Sequence, residues 1–395
     1  MIIKPKIKGF FCITAHPHGC LENVRDQVEF SLKHKLGLGV GPKRVLVLGA
    51  STGYGLSSRI TAAFSAGAET LGVYLERPPV NERTGSAGFY NSLAFSKLAE
   101  EKGINTVEVN GDAFSVECKR QVVEEAKKMG GQFDLIVYSL ASPRRTDPSD
   151  GKTYKACLKP IGSVYKNKTL DTDREVVKEI LIEPASEEEI SSTQKVMGGE
   201  DWLIWTELLT KEDLLAHGCM NLSYSYIGPE VTRPIYRNGT IGKAKEHLES
   251  TSQIIRKMML ESCSGNAFVS VNKALVTQAS SAIPVVPLYV SILYKIMREM
   301  NVHEGCIEQI SRLFREKVFA GEVIPVDHFN RIRLDDLEMN PDIQNKIMDL
   351  WPKINSENLR VLTNFDEYQK EFLKLFGFGH EKVDYSKEVN LQNPF

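Results

Sequence analysis

VLVLGASTGYGLSSRI, residues 45–60, decides the fold. A β-branched run ends at Gly49, and a helical pattern opens near Gly55. Between them Gly49, Gly53 and Gly55 stand in G-x-x-x-G-x-G spacing. Glycine belongs at such a junction because the chain turns sharply and its backbone must approach a pyrophosphate, whose charge is met by free N–H groups at a helix N-terminus. Outward from this turn the sequence alternates RVLVLG, a helical 55–67, TLGVYLE, a helical 87–102, NTVEVNG, a helical 114–129 and FDLIVYSLA. That rhythm predicts an α/β fold with a doubly wound parallel sheet.

The rhythm stops after Ser142. A charged stretch follows, with DPSDG as a turn, GSVYKNKTL and EVVKEILIE as strand-like runs, and EEEISSTQKVM and EDWLIWTELL as helices. The division expected is an N-terminal segment 1–43 packing on the core, a dinucleotide-binding half 44–142, an insertion or lid lobe 143–218, a catalytic half 219–323 and a C-terminal appendage 324–395. In the catalytic half the sheet resumes with CMNLSYSYIG, a helix from about Thr240 to Glu261, the strand NAFVSVN and a helix beginning near Pro287.

Of the 395 residues 42% are hydrophobic and 25% charged, and 49 basic side chains face 51 acidic ones, so no basic field exists to hold nucleic acid or an anionic membrane. Cys12, Cys20, Cys118, Cys157, Cys219, Cys263 and Cys306 are odd in number and contain no C-x-x-C pair, which fits a reducing cytoplasm better than a disulfide framework or a zinc site. The apolar start of the chain is far short of a signal sequence, and AIPVVPLYVSIL at 282–293 is too short and proline-interrupted to span a bilayer. A cytoplasmic protein without membrane insertion is expected.

The candidate cofactor cradle is Gly49, Ala50, Ser51, Thr52, Gly53 and Tyr54, with Leu75 and Glu76 at the end of the next strand. Glu76 stands twenty-one residues after Gly55. A carboxylate there accepts hydrogen bonds from an adenosine ribose and repels a 2′-phosphate, which favours NAD(H) over NADP(H), although Arg77 beside it tolerates phosphate. Two further strand ends open on the same crevice: Asp112 and Ala113 near the adenine, Leu140 and Ala141 near the nicotinamide ribose.

In the helix from Thr240, steps of about 100° per residue put Ala244, Leu248, Ile255 and Met259 on one side; Lys245 falls within roughly 40° of that stripe and Lys243 roughly 160° away. Lys245 therefore suits a ribose hydroxyl and Lys243 solvent. Tyr236 lies nine residues before Lys245 and would face away from it on one continuous helix. Arg237-Asn238-Gly239 breaks that helix, and Thr240 is suited to cap the next, so Tyr236 is expected in a preceding loop, free to turn inward. Tyr226 ends the alternating strand LSYSY and should project at the sheet's carboxyl edge, whereas Tyr224 sits one pleat deeper in a structural place. None of the 13 tyrosines has the Tyr-x-x-x-Lys spacing of ordinary short-chain ketone and alcohol reductases.

Tyr236-x8-Lys245, with Tyr226 ten residues upstream, resembles the trans-2-enoyl-CoA reductases and their FabV-type relatives, the enoyl-acyl-carrier-protein reductases. The resemblance runs through AHPHGC, GASTGYG, YNSLAF, GDAF, VYSLASP, RRTDP, VMGGEDW, YSYIGPE, GTIGKAKEHLE, FVSVNKALVT and IPVVPLY in this order. It implies an enlarged Rossmann core like that of short-chain dehydrogenases/reductases, NADH as cofactor, and an enoyl-CoA or enoyl-acyl-carrier-protein as substrate; the extra segments, able to cover surfaces that smaller relatives bury between subunits, favour a monomer. By the same resemblance Tyr236 is the proton donor, Lys245 the cofactor-ribose ligand and Tyr226 a substrate ligand, with Leu275, Val276 and Thr277 flanking the cofactor after the sixth strand.

The chemistry suits those residues. Hydride arriving at the β-carbon of a conjugated thioester leaves charge on the thioester oxygen, and a phenol aimed there stabilises and protonates it, with the Lys245 ammonium expected to lower the phenol's pKa. No metal is required, and His16-Pro17-His18 reads as a structural turn. MGGEDW at 197–202 fits a lid hinge and a glycine turn equally. Nothing in the C-terminal appendage points to a flavin. An NAD-dependent carbonyl reductase or epimerase, and a non-catalytic NAD(H) sensor, remain as alternatives. The choice between CoA and carrier protein stays open.

Overall fold

RVLVL is apolar beyond its first residue, with β-branched Val45 and Val47, the pattern of a strand buried on both faces, and Arg44–Leu48 forms β1 in the middle of a seven-stranded sheet. The computed structural model describes residues 1–9, 11–321 and 323–395. After β1 come β2 (Glu69–Tyr74), β3 (Thr106–Asn110), β4 (Phe133–Tyr138), β5 (Leu215–Ser225), β6 (Asn266–Val271) and β7 (Arg331–Arg333). Their order across the sheet is β3-β2-β1-β4-β5-β6-β7, with every pair parallel. Strand order reverses between β1 and β4, so the ligand crevice of such a sheet lies beyond their carboxyl ends.

The α-helices before β6 are α1 (Pro17–Lys33), α2 (Gly53–Ile60), α3 (Ala87–Glu100), α4 (Val116–Lys128), α5 (Glu187–Met197), α6 (Glu200–Lys211) and α7 (Thr240–Cys263). The expected helix 55–67 is split: α2 ends at Ile60 and the chain continues as a π-helical turn, Thr61–Ser65. One face of the sheet packs Leu46, Leu48, Val73 and Ile136 against Trp202 and Trp205 of α6 and Leu248, Ile255 and Met259 of α7.

Residues 143–218, expected as a lid lobe, divide into two parts. Two antiparallel hairpins, Arg144–Thr146 with Thr153–Lys155 and Tyr165–Asp171 with Val176–Ile182, precede α5. The remainder, α6, carries two fully buried tryptophans and leads directly into β5, so it is a crossover helix of the sheet. Gly198 and Gly199 are the turn between α5 and α6, and a Cβ on Gly199 would lie 2.3 Å from Thr251 Oγ1 of α7. Close packing is why glycine stands there.

The segment from residue 324 is no mere covering. Its residues 331–333 are β7, paired with β6, and Ile343, Ile347, Trp351, Phe365 and Phe372 share one core with the helix Val286–Glu299 and with Ile3, Cys12, Ala15 and Cys20 of the N-terminal segment.

Candidate active site

Gly49 (φ +90°) and Gly53 (φ +54°) take left-handed backbone that side-chain-bearing residues rarely adopt. A Cβ on Gly49 would lie 2.3 Å from the Ser139 carbonyl, and one on Gly55 1.9 Å from the Gly49 carbonyl. The ends of β1 and β4 are thus drawn together, with Ser139 N donating to the Leu48 carbonyl at 2.8 Å. Thr52 begins α2 without a side-chain cap, which leaves the helix N-terminus open to a phosphate.

Beside this turn Glu76 is half-buried and accepts from Ser51 Oγ at 2.7 Å. A Cβ on Gly88 would meet the same carboxylate at 2.0 Å, so the glycine opening α3 makes the space that Glu76 occupies. Asn110 holds the Glu76 backbone from both sides at 2.9 Å, and Asn91 Nδ2 donates to the Ser51 carbonyl at 3.1 Å. The sequence reading named Ser51 and Glu76 but missed Gly88, Asn91 and Asn110, because only the fold brings three strand ends together here.

The other crevice residues lie at the same sheet edge. Asp112 Oδ1 accepts from Phe114 N at 3.0 Å, and the Ala113 carbonyl is held by Lys119 Nζ (2.7 Å) and Trp205 Nε1 (3.1 Å). Leu140 Cδ2 is 3.4 Å from the position of a Cβ on Gly49; Ala141 and Leu75 are exposed. After β6, Leu275 and Val276 are buried, Val276 N donates to Tyr294 Oη at 3.1 Å, and Thr277 Cγ2 comes 3.8 Å from the Cβ position on Gly53. Tyr54 is a partial exception among the cradle residues, since its phenol points beneath the β6 loop, 2.8 Å from both the Lys273 carbonyl and Gln309 Oε1.

Tyr236 lies in a run of turns before α7, as its flanking breaker requires. Its carbonyl accepts from Gly242 N (2.9 Å) and Gly239 N (3.1 Å), and a Cβ on Gly242 would sit 1.8 Å from the Arg237 carbonyl. That glycine lets α7 start directly beneath the turn. Gly239, not Thr240, is the N-cap; the Thr240 hydroxyl instead reaches the Cys157 carbonyl. The Tyr236 ring is buried edge-on against Tyr226, 4.9 Å between centroids, yet its hydroxyl has no hydrogen-bond partner among the described residues. The neighbouring phenols are all engaged: Tyr226 on Glu338, Tyr224 on Ser58 and Tyr289 on Glu338.

Lys245 lies on the inner face of α7 and its Nζ donates to the Tyr224 carbonyl at 3.0 Å, whereas Lys243 pairs with Glu246 on the outer face. Tyr236 and Lys245 therefore reach the same strand end, two residues apart along β5 and its extension. Burial pushes the Lys245 pKa down to about 8 against the pull of Glu249. The expectation that Lys245 lowers the Tyr236 pKa is corrected: burial pushes that phenol well above its ordinary 10, because the phenolate loses its hydration. A donor so placed keeps its proton at neutral pH.

His16 is fully buried and caps α1, accepting from Gly19 N at 3.3 Å, while His18 Nε2 lies 2.7 Å from the Pro394 carbonyl. Among the described residues no group of three His, Cys, Asp or Glu is placed to hold a metal.

Residues 83–319 match the family model described as the trans-2-enoyl-CoA reductase catalytic region, which spans more than half of the chain, and residues 2–81 match the NAD(P)H binding domain of trans-2-enoyl-CoA reductase. The chain belongs to the trans-2-enoyl-CoA reductase family. It is 53% identical to an NADH enoyl-acyl-carrier-protein reductase of Flavobacterium johnsoniae (99% of this chain, 98% of the relative) and 53% identical to an NADH trans-2-enoyl-CoA reductase of Clostridium perfringens (99% of each). The crystal structure of Treponema denticola trans-2-enoyl-CoA reductase in complex with NAD is 51% identical, superimposes with a TM-score of 0.94 and covers 98% of each chain.

Residues 326–389 match a model described as an enoyl reductase FAD binding domain. The residues of this reductase do not fit a flavin there. The inward side chains Ile343, Ile347, Trp351, Phe365 and Phe372 are engaged in the core, and a Cβ on Gly377 would lie 2.4 Å from the His16 carbonyl. What the segment does bring to the reductase site is Glu338, in the loop after β7, which the sequence reading did not single out. No local signal marks it; DDLEM is an ordinary acidic stretch until β7 carries it to the sheet's carboxyl edge.

Proposed function

We propose that the chain reduces the C2–C3 double bond of a trans-2-enoyl thioester to the saturated acyl thioester with NADH, and that Tyr236 is its acid. The observation that carries the assignment of Tyr236 is its unengaged hydroxyl at the carboxyl end of β5, amid tyrosines that are all committed to protein partners. The cradle fits a dinucleotide: Gly49, Gly55 and Gly88 keep open the space that side chains would fill, and Glu76 with Ser51 offers a ribose-accepting carboxylate. Gly49 to Tyr54 would hold the pyrophosphate with backbone, Asp112 and Ala113 the adenine side, and Leu140, Ala141, Leu275, Val276 and Thr277 the nicotinamide side.

NADH, when bound, supplies the hydride that goes to C3. Tyr236 donates its hydrogen to the thioester oxygen as negative charge collects there, the buried site makes that bond strong, and the resulting enol becomes the saturated thioester when C2 takes up a proton and the oxygen gives its own back. Lys245 holds a ribose hydroxyl, and Tyr226 orients the thioester. The surrounding apolar side chains, Ile235, Val231 and Val276, exclude water. The carrier is read as CoA or acyl carrier protein, since relatives of comparable identity carry either name. A monomer in the cytoplasm is the setting proposed; all seven cysteines are free thiols, and no described helix is long and apolar enough to cross a membrane.

NADH oxidation by crotonyl-CoA, dodecenoyl-CoA and the matching carrier-protein thioesters tests the reading directly. Saturated acyl thioester should form stoichiometrically with at least one of them; NADH consumption by simple ketones at comparable kcat/KM, and none by enoyl thioesters, would sink it. Glu76→Ala should narrow the preference for NADH over NADPH by about 10-fold, the worth of one charged hydrogen bond or repulsion. A wild type that already prefers NADPH would contradict the role given to Glu76.

The lowered Lys245 pKa has its own consequence. The ammonium prevails below about 8 and is lost above it, so kcat/KM for NADH should be flat on the acid side and fall as pH rises through about 8. Lys245→Met should lower the plateau and abolish the fall. A variant retaining the same alkaline limb would assign that titration to another group.

A further inference from the structure

Glu338 is fully buried in the loop after β7, and one of its oxygens lies within hydrogen-bond distance of two phenols, Tyr226 Oη at 2.9 Å and Tyr289 Oη at 2.6 Å. Its other oxygen accepts from Ala274 N at 2.7 Å. No cation pairs with it among the described residues. Lys273 is near and its charge favours the carboxylate, but its Nζ donates to the Ala274 carbonyl (3.1 Å) and the Glu304 carbonyl (3.2 Å) and not to Glu338. An unpaired carboxylate with no water around it is costly, and such a group sheds its charge by binding a proton. Burial accordingly raises the Glu338 pKa.

A phenol has one O–H. If Glu338 is a carboxylate, Tyr226 must give its hydrogen to Glu338 and has none for a thioester oxygen. If Glu338 is a carboxylic acid, every atom of the cluster is satisfied the other way. The shared oxygen donates to Tyr226 and accepts from Tyr289, which itself receives Gln344 Nε2 at 3.2 Å, and the carbonyl oxygen keeps Ala274 N. Tyr226 is then free to donate.

We propose that Glu338 is a positioning residue of the reductase site, held protonated so that it donates to the Tyr226 oxygen and directs the Tyr226 hydrogen at the substrate's thioester oxygen. This rests on the reading of Tyr226 as the thioester ligand. It gives the C-terminal segment a part in the reaction through one side chain, with no cofactor of its own.

Two measurements test it separately. Infrared difference spectra of the full chain with NADH, wild type minus Glu338→Gln, should show a protonated-carboxyl C=O band; carboxylate bands in its place would overturn the proposal. Should that variant not fold, isotope-labelled glutamate in the wild type gives the same answer, since a protonated-carboxyl band must shift on labelling and its absence overturns the idea. Kinetically, Glu338→Ala should lower kcat/KM for crotonyl-CoA by about 10-fold with the NADH Kd little changed, and should add less than about 2-fold in a Tyr226→Phe background. Additive losses would show that Glu338 does not act through Tyr226. A Tyr226→Phe variant of full activity would instead remove the reading beneath the proposal, whatever the infrared band reports.

Discussion

Tyr236→Phe should lose enoyl-thioester reduction by about 10²–10⁴-fold in kcat, the usual worth of a positioned general acid, while the Kd for NADH stays within about 2-fold. The substitution removes one oxygen from a ring that is otherwise held by packing. Its edge-on contact with Tyr226 and the bonds to its backbone carbonyl from Gly239 and Gly242 do not involve the hydroxyl. Since that hydroxyl bonds to no described residue, its deletion leaves no protein group unpaired and the fold should keep its stability. Single-turnover kinetics with crotonyl-CoA and fluorescence titration of NADH separate the two effects. Unchanged turnover would remove Tyr236 from the chemistry.

Asp201→Ala should cost about 3–5 kcal/mol of folding stability, the penalty for stripping the partner from a buried charge. Asp201 and Lys119 are both buried and 2.8 Å apart, and Tyr138 Oη also donates to Asp201 at 3.1 Å. Lys119 also donates to the Ala113 carbonyl, so the same change should loosen the loop read as the adenine contact and weaken NADH binding. Urea unfolding would show a lower midpoint at unchanged slope. Adding Lys119→Met should recover part of the loss, because two apolar side chains leave no buried charge behind. A single variant as stable as the wild type would mean that water or another residue takes over the ammonium.

The core of this fold is legible because its signals are local. Six of the seven strands follow from runs such as RVLVLG, FDLIVYSLA and NAFVSVN, and the glycine turn marks where the sheet is entered. The faces of Lys243 and Lys245 follow from helical periodicity alone, and Gly239 marks the break that frees Tyr236. What stayed hidden is long-range. β7 is only three residues long and sits in a charged stretch, so nothing in RIR announces a strand until β6 offers it an edge. Glu338 arrives with it. The tryptophans of α6 look as much like a lid's apolar face as like a crossover helix, and only Asn221 of β5, accepting from Trp202 Nε1 at 2.7 Å, shows which they serve. The direction of the Tyr236 pKa was misjudged for a related reason: residue spacing reports a nearby charge, but burial depends on everything packed around the ring.

With Tyr236 as acid and Lys245 as ribose ligand, the hydroxyl and the amine should meet one bound substrate–cofactor pair at the end of β5. A crystal structure with NAD and a saturated product such as butyryl-CoA tests it most directly. The Tyr236 hydroxyl should lie within about 3 Å of the thioester oxygen, with Lys245 on a ribose hydroxyl and Glu76 on the adenosine ribose. A thioester oxygen held by other donors, with the Tyr236 hydroxyl turned away from it, would contradict the account.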